Sequence, residues 1–135
     1  MRIKDKAEEI ERYLDELSGI IPETFEQYET SNLDKAACER YFERIIEAVV
    51  DLAFLLIKEK RCKTPEEDKQ AFDILSDENI ITKELSEKLK DAKGMRNIIA
   101  HEYGKIDDDL VFRAIKEKLG DDVDEFIRAV RKAVG

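Results

Sequence analysis

The chain predicts an all-α fold, an antiparallel helical bundle of about five to six helices forming a single domain over residues 1–135. Three observations carry this. Apolar residues recur at the three-to-four spacing of a helix face along most of the length, and alternating strand-like runs are absent. Five Gly and two Pro are too few to punctuate a set of strands. The stretches between periodic segments are short, and short connections make antiparallel neighbours. With 42% hydrophobic residues in 135, one continuous core is within reach without disulfides or metal.

The elements follow in order. Helix one covers roughly 3–18, with Ile3, Ala7, Ile10, Tyr13, Leu14 and Leu17 on one face. Ser18-Gly19 and Pro22 end it and open a short segment running to about residue 29. "TSNLD" supplies Ser31 or Asn32 as the cap of the next and longest helix, about 33–60. From Ile45 to Ile57 its apolar residues lie nearly all round, which predicts a position at the centre of the bundle. "TPEE" at 64–67 reads as a helix start, with Thr64 as cap, Pro65 at the first position and Glu67 completing a capping box. That helix buries Phe72, Ile74 and Leu75 and stops before Asn79. Thr82 caps another, which runs through "GMRNIIAHEYG". Asp107 caps "DDDLVFRAIKEKL", Gly120 closes it, and "DDVDEFIRAVRKAV" forms a last helix.

Charge and cysteine usage narrow the function. Charged residues make up 42%, against about 25% in ordinary soluble domains, which suits ion-pair ladders on helix surfaces and carries a faint thermophilic signature. No run of about 18 apolar residues and no basic-then-apolar leader occurs, so a cytoplasmic protein with no membrane association is expected. Cys38 and Cys62 form no CxxC and have one histidine to share, so neither a zinc site nor any other metal or cofactor is expected. Reduced thiols are the expected state. The net charge of −9 argues against general nucleic-acid binding. The exception is local: from Lys88 to Lys105, Lys88, Lys90, Lys93, Arg96 and Lys105 face only Asp91 and Glu102, a net of +3. An anionic ligand is permitted there.

That stretch holds His101, the single histidine. On an ideal helix at about 100° per residue, Asn97 falls about 100° and His101 about 140° from Arg96, while Tyr103 nearly eclipses it two turns on. Arg96, Asn97 and His101 share a polar arc, and Ala100 leaves a gap among them. Such an arc is most often a solvated face. Read as chemistry, it is an anion cradle suited to phosphodiester cleavage. His101 would move a proton to or from the 2′-hydroxyl or the leaving oxygen, and Arg96 would neutralise charge on the phosphorus oxygens. One histidine leaves the base-and-acid pair incomplete, and a two-fold homodimer would bring two Arg96 and two His101 into one cleft. On the long helix, Arg40, Arg44, Glu47 and Asp51 form a second stripe, and Asp51 sits in the apolar run "EAVVDLAFLL". Either Arg44 and Glu47 form an intrahelical ladder beside an exposed Asp51, or Glu47 or Asp51 orients Arg96 or His101 from a neighbouring helix.

The segment Arg96-Asn97-Ile98-Ile99-Ala100-His101-Glu102-Tyr103, late in an all-α chain, resembles the HEPN superfamily. More narrowly it resembles the HepT-like toxins paired with minimal nucleotidyltransferase antitoxins. "ERYFERIIEAVVDLA" and "TPEEDKQAFDILSDENIIT" before it, and "DLVFRAIKEKLGDDVDEFIRAV" after it, extend the likeness over essentially the whole chain. The resemblance implies a metal-independent endoribonuclease toxin acting as a homodimer, with RNA, tRNA frequently, as substrate and a nucleotidyltransferase antitoxin as partner. Arg96 and His101 would be the catalytic pair, Asn97 the polar residue after the arginine, and Tyr103 the tyrosine that the antitoxin modifies with AMP. Many members carry another histidine on the long helix, whereas "DLAFLLIKEK" has none. Two other readings stay open: a non-catalytic HEPN module that docks a nucleotidyltransferase or binds a nucleotide, and a helical dimerisation domain whose polar arc is interfacial.

Overall fold

The computed structural model describes residues 2–101 and 106–135. Among them the regular elements are α1 (Arg2–Ile20), α2 (Phe25–Thr30), α3 (Asn32–Glu59), α4 (Asp68–Asp77), α5 (Lys83–His101), α6 (Asp108–Arg113) and α7 (Gly120–Val134), with a π-helical stretch, Ala114–Leu119, joining the last two. This is the expected all-α bundle. α3 is its axis: Ile45, Ile46, Val49, Leu52, Ala53 and Leu56 are wholly or almost wholly buried, and α1, α2, α4 and α5 pack on it. Cross-helix pairs give directions. Lys6 reaches Asp51 at 3.8 Å while Tyr41 donates to Glu16 at 3.0 Å, so numbering rises along α1 as it falls along α3. Lys93–Asp68 at 3.1 Å and Lys90–Asp73 at 2.8 Å make α4 and α5 antiparallel in the same way.

Aromatic rings lock the ends of the core. Phe72 of α4 meets Phe126 of α7 edge-on at 6.1 Å, and Tyr28 of α2 lies 5.2 Å from Phe112 of α6. Each buried ring contributes about 1.5–3 kcal/mol. Burial also raises the Cys38 thiol to about 11, so it stays protonated and unreactive.

Most of the expected caps are present. Ser31 accepts from the Asp34 N–H at 3.1 Å, Thr82 from Leu85 at 3.0 Å, and Asp107 from Asp109 at 3.0 Å. α2 carries a reciprocal capping box between Thr24 and Gln27 that sequence reading passed over. Two expectations are corrected. α4 starts at Asp68, with Glu67 at the cap position and no side-chain cap bond, so Thr64 and Pro65 lie before the helix. Pro65 is buried, and the side chain of Gln70 accepts from the Glu66 N–H, so the chain crosses the bundle surface three residues further before winding up. Arg61, at φ 56°, makes the preceding reversal. Its N–H donates to the Lys58 carbonyl and that of Cys62 to the Ile57 carbonyl, closing α3.

Gly120 is the second correction. It has φ −59° and ψ −48°, right-handed helical values, so the two C-terminal helices form one continuous rod. Val111, Ile115, Leu119, Val123 and Ile127 are all buried and recur every four residues. On an α-helix that spacing drifts by about 40° per step. The wider i→i+5 turns of Ala114–Leu119 absorb the drift and keep the stripe on the core.

Candidate active site

Lys93 and Arg96, three residues apart, share one face of α5. Opposite them stand Glu47 and Asp51 of α3 and Asp68, the first residue of α4. With Val50 and Phe54 these residues line an open groove of about 450 Å³. Arg96 Nη2 donates to Glu47 Oε1, and its Nη1 makes a long contact of 3.5 Å with Asn97 Oδ1. The Arg96 side chain is 17% exposed and that of Glu47 46%, so the arginine is the recessed partner and the carboxylate the outer one. Arg96 Nε is buried with no hydrogen-bond partner among the described residues. Such a donor costs about 1–3 kcal/mol if left unpaired. Glu47 thus fixes one edge of the guanidinium, and the rest of its donor set is incompletely used.

The structure brings Glu47, Asp51, Arg96 and Asn97 into one neighbourhood and sets His101 apart. His101 ends α5, exposed, five residues past Arg96. That is about 7.5 Å along the axis and about 140° around it. It makes no hydrogen bond or ion pair with a described residue. Tyr103, with Glu102 and Lys105, lies outside the described residues. Of the two readings of the α3 stripe, the structure replaces the Arg44–Glu47 pair of the first with Glu47–Arg96 of α5, and keeps its exposed Asp51. Asp51 is 64% exposed despite its apolar neighbours in sequence, because it sits on the one strip of α3 left uncovered, with Lys6 at 3.8 Å.

The basic stretch changes character once folded. Lys88 pairs with Glu84 at 3.1 Å, Lys90 with Asp73 and Glu87 at 2.8 Å each, Lys93 with Asp68, and Arg96 with Glu47. Hydrogen bonds that the Lys90 ammonium donates to Asp73 and Glu87 hold it above its ordinary range. Each described cation of that stretch is therefore met by a carboxylate from α3, α4 or α5 itself. Sequence reading missed the Lys93–Asp68 pair and the place of Val50 and Phe54 in the groove. The three-residue spacing of Lys93 and Arg96 signals a shared face, but nothing local signals Asp68.

Residues 6–130 match the ribonuclease HepT-like family. An mRNA nuclease HepT of Shewanella oneidensis is 30% identical over 89 residues, 66% of each chain. A tRNA nuclease HepT of Aphanizomenon flos-aquae is 30% identical over 113 residues, 84% of this chain and 77% of that one. The fold superposes with a TM-score of 0.90 and 25% identity, over 96% of each chain, on the tri-AMPylated HEPN toxin of Shewanella oneidensis solved in complex with its MNT antitoxin. A helical bundle of this order, matched over nearly its whole length, belongs to the ribonuclease HepT-like family.

Proposed function

We propose that this chain is the toxin of a toxin–antitoxin pair, a metal-independent endoribonuclease that cuts RNA in a cleft formed by two copies. The observation that carries the reading is the recessed Arg96, braced by Glu47 with donors to spare, one and a half turns before an exposed His101 on the same helix. Arg96 neutralises the charge that develops on the phosphorus oxygens, and His101 carries the proton of the 2′-hydroxyl or of the leaving oxygen. The angle of about 140° between them turns the pair outward in one copy, and a two-fold partner supplies the second histidine that in-line cleavage uses. Asn97 and Glu47 hold the guanidinium, and Asp51 with Lys6 edges the groove. Tyr103 is the AMP acceptor for a nucleotidyltransferase antitoxin: its phenolic oxygen attacks the α-phosphorus of ATP and pyrophosphate leaves. The AMPylated state of the Shewanella toxin supports AMP as the modifying group. A bulky anion two residues from His101 would repel RNA.

The neutralised basic stretch favours a second reading, a docking module without catalysis. Cleavage of a structured RNA in EDTA separates the two, using protein whose intact mass excludes AMP, beside His101→Ala and Arg96→Ala. Cutting by the wild type alone, leaving 2′,3′-cyclic phosphate ends, establishes the ribonuclease. No cutting of several RNAs by the unmodified protein leaves the docking module.

A further inference from the structure

The groove at Arg96 does not end at Asp51. Asp51 and Phe54 also border a second cavity of about 800 Å³ between the end of α3 and the start of α1. That cavity shares Arg2, Leu55, Lys58 and Arg61 with a third, of about 840 Å³, that continues to the end of α7. One trough therefore runs along α3, and its polarity changes on the way. Near Arg96 each cation has a carboxylate. Beyond Phe54 the rim is Arg2, Lys4, Lys58 and Arg61, all exposed, none in an ion pair with a described residue. Glu8 and Glu59 are the acids of that part, and the other two cations on the trough, Lys6 and Arg131, are engaged by Glu9 and Glu11. In a chain of net charge −9, the two cavities together are lined by six cations, Arg2, Lys4, Lys6, Lys58, Arg61 and Arg131, against the three acids Glu8, Asp51 and Glu59, a local net of +3.

We propose that this trough is the track for a single-stranded segment of the RNA substrate, with Arg2, Lys58 and Arg61 gripping phosphates and Phe54 offering a face to a base. The proposal rests on the ribonuclease reading and extends it. Unpaired cations suit a polyanion, because their charge is not already spoken for by the fold. The half-buried Phe54 stands at the junction with the Arg96 groove, where a stacked base would set the register of the strand. From Glu47 to Glu59 the track follows about 18 Å of helix, room for about five residues of a stacked strand. It also answers how an acidic protein holds RNA: the grip lies beside the cleavage groove, where Lys93 and Arg96 each face a carboxylate.

The test is binding of a fluorescein-labelled single-stranded RNA oligonucleotide by the full chain carrying His101→Ala, so that cleavage plays no part. Adding Lys58→Gln and Arg61→Gln should weaken affinity about tenfold and make the slope of log affinity against log salt shallower by about 1.4, the loss of two single-strand phosphate contacts. Lys83→Gln with Lys132→Gln, exposed lysines off the trough, should leave both unchanged. Equal weakening by the two pairs, or none by the first, overturns the track. So does the first pair weakening the hold on a nucleotidyltransferase antitoxin while RNA affinity stays. Loss of RNA affinity on the trough in a wild-type protein that cuts no RNA keeps the track and removes only the ribonuclease reading.

Discussion

At the scale of single residues, Glu47 has the largest predicted effect for the smallest change. Its carboxylate is exposed and its ion pair with Arg96 is worth at most about 1 kcal/mol to folding. Its positioning role is larger, because a misdirected guanidinium loses aim at the phosphorus oxygens. Glu47→Gln should lower kcat on RNA by about ten- to a hundredfold with KM and melting temperature little altered. An equal fall in melting temperature would reduce Glu47 to a structural residue. Glu39 makes the opposite case. Burial first, then Asp108 and Glu43, raise its carboxyl above the ordinary 4.5, with Lys35 opposing. A raised acid favours the fold below its ordinary value and loses that contribution as pH rises through its folded value. Ionised Glu39 therefore costs stability at neutral pH. Glu39→Gln should raise the melting temperature at pH 7 by a few degrees and much less at pH 4, and an equal rise at both would exclude the charge as the cause.

Among the elements, the C-terminal rod and the start of α4 are where local punctuation and folded geometry part company. A glycine after a lysine-rich stretch reads as a stop, yet Gly120 is helical, and a Cβ there meets nothing within 4 Å. Gly120→Ala should stabilise the protein by about 0.5–1 kcal/mol, read from chemical denaturation. Destabilisation would mean that the π-helical stretch needs glycine after it. Threonine caps give a paired comparison. Thr82 bonds the Leu85 N–H, so Thr82→Ala should cost about 1 kcal/mol, whereas Thr64, three residues before the cap position of α4, should tolerate alanine within about 0.5 kcal/mol. A reversal of that order would restore the sequence-based start of α4.

For the whole molecule, the outward divergence of Arg96 and His101 ties function to a second copy. Arg96→Ala and His101→Ala protein, each inactive on RNA, should regain part of the wild-type rate when mixed and allowed to exchange subunits, because a mixed pair holds one arginine and one histidine in its cleft. Failure to regain activity, with exchange verified by mass, would confine each site to one chain. No helix among the described residues is long and apolar enough to cross a membrane.

The amino-acid sequence alone suffices for the all-α class, the central place of α3 and three of the caps. These depend on interactions within four residues, where apolar period and side-chain-to-backbone bonds act alone. It also left Glu47 three candidate partners, Arg44, Arg96 and His101, without choosing among them. Tertiary packing turns Glu47 from Arg44 to Arg96, brings Asp68 to Lys93, gives each described cation of the basic stretch a carboxylate, and leaves a basic trough at the end of α3. Each of those depends on how far one helix is rotated and slid against another. That rotation is set by the packing of the whole core, and no local spacing encodes it.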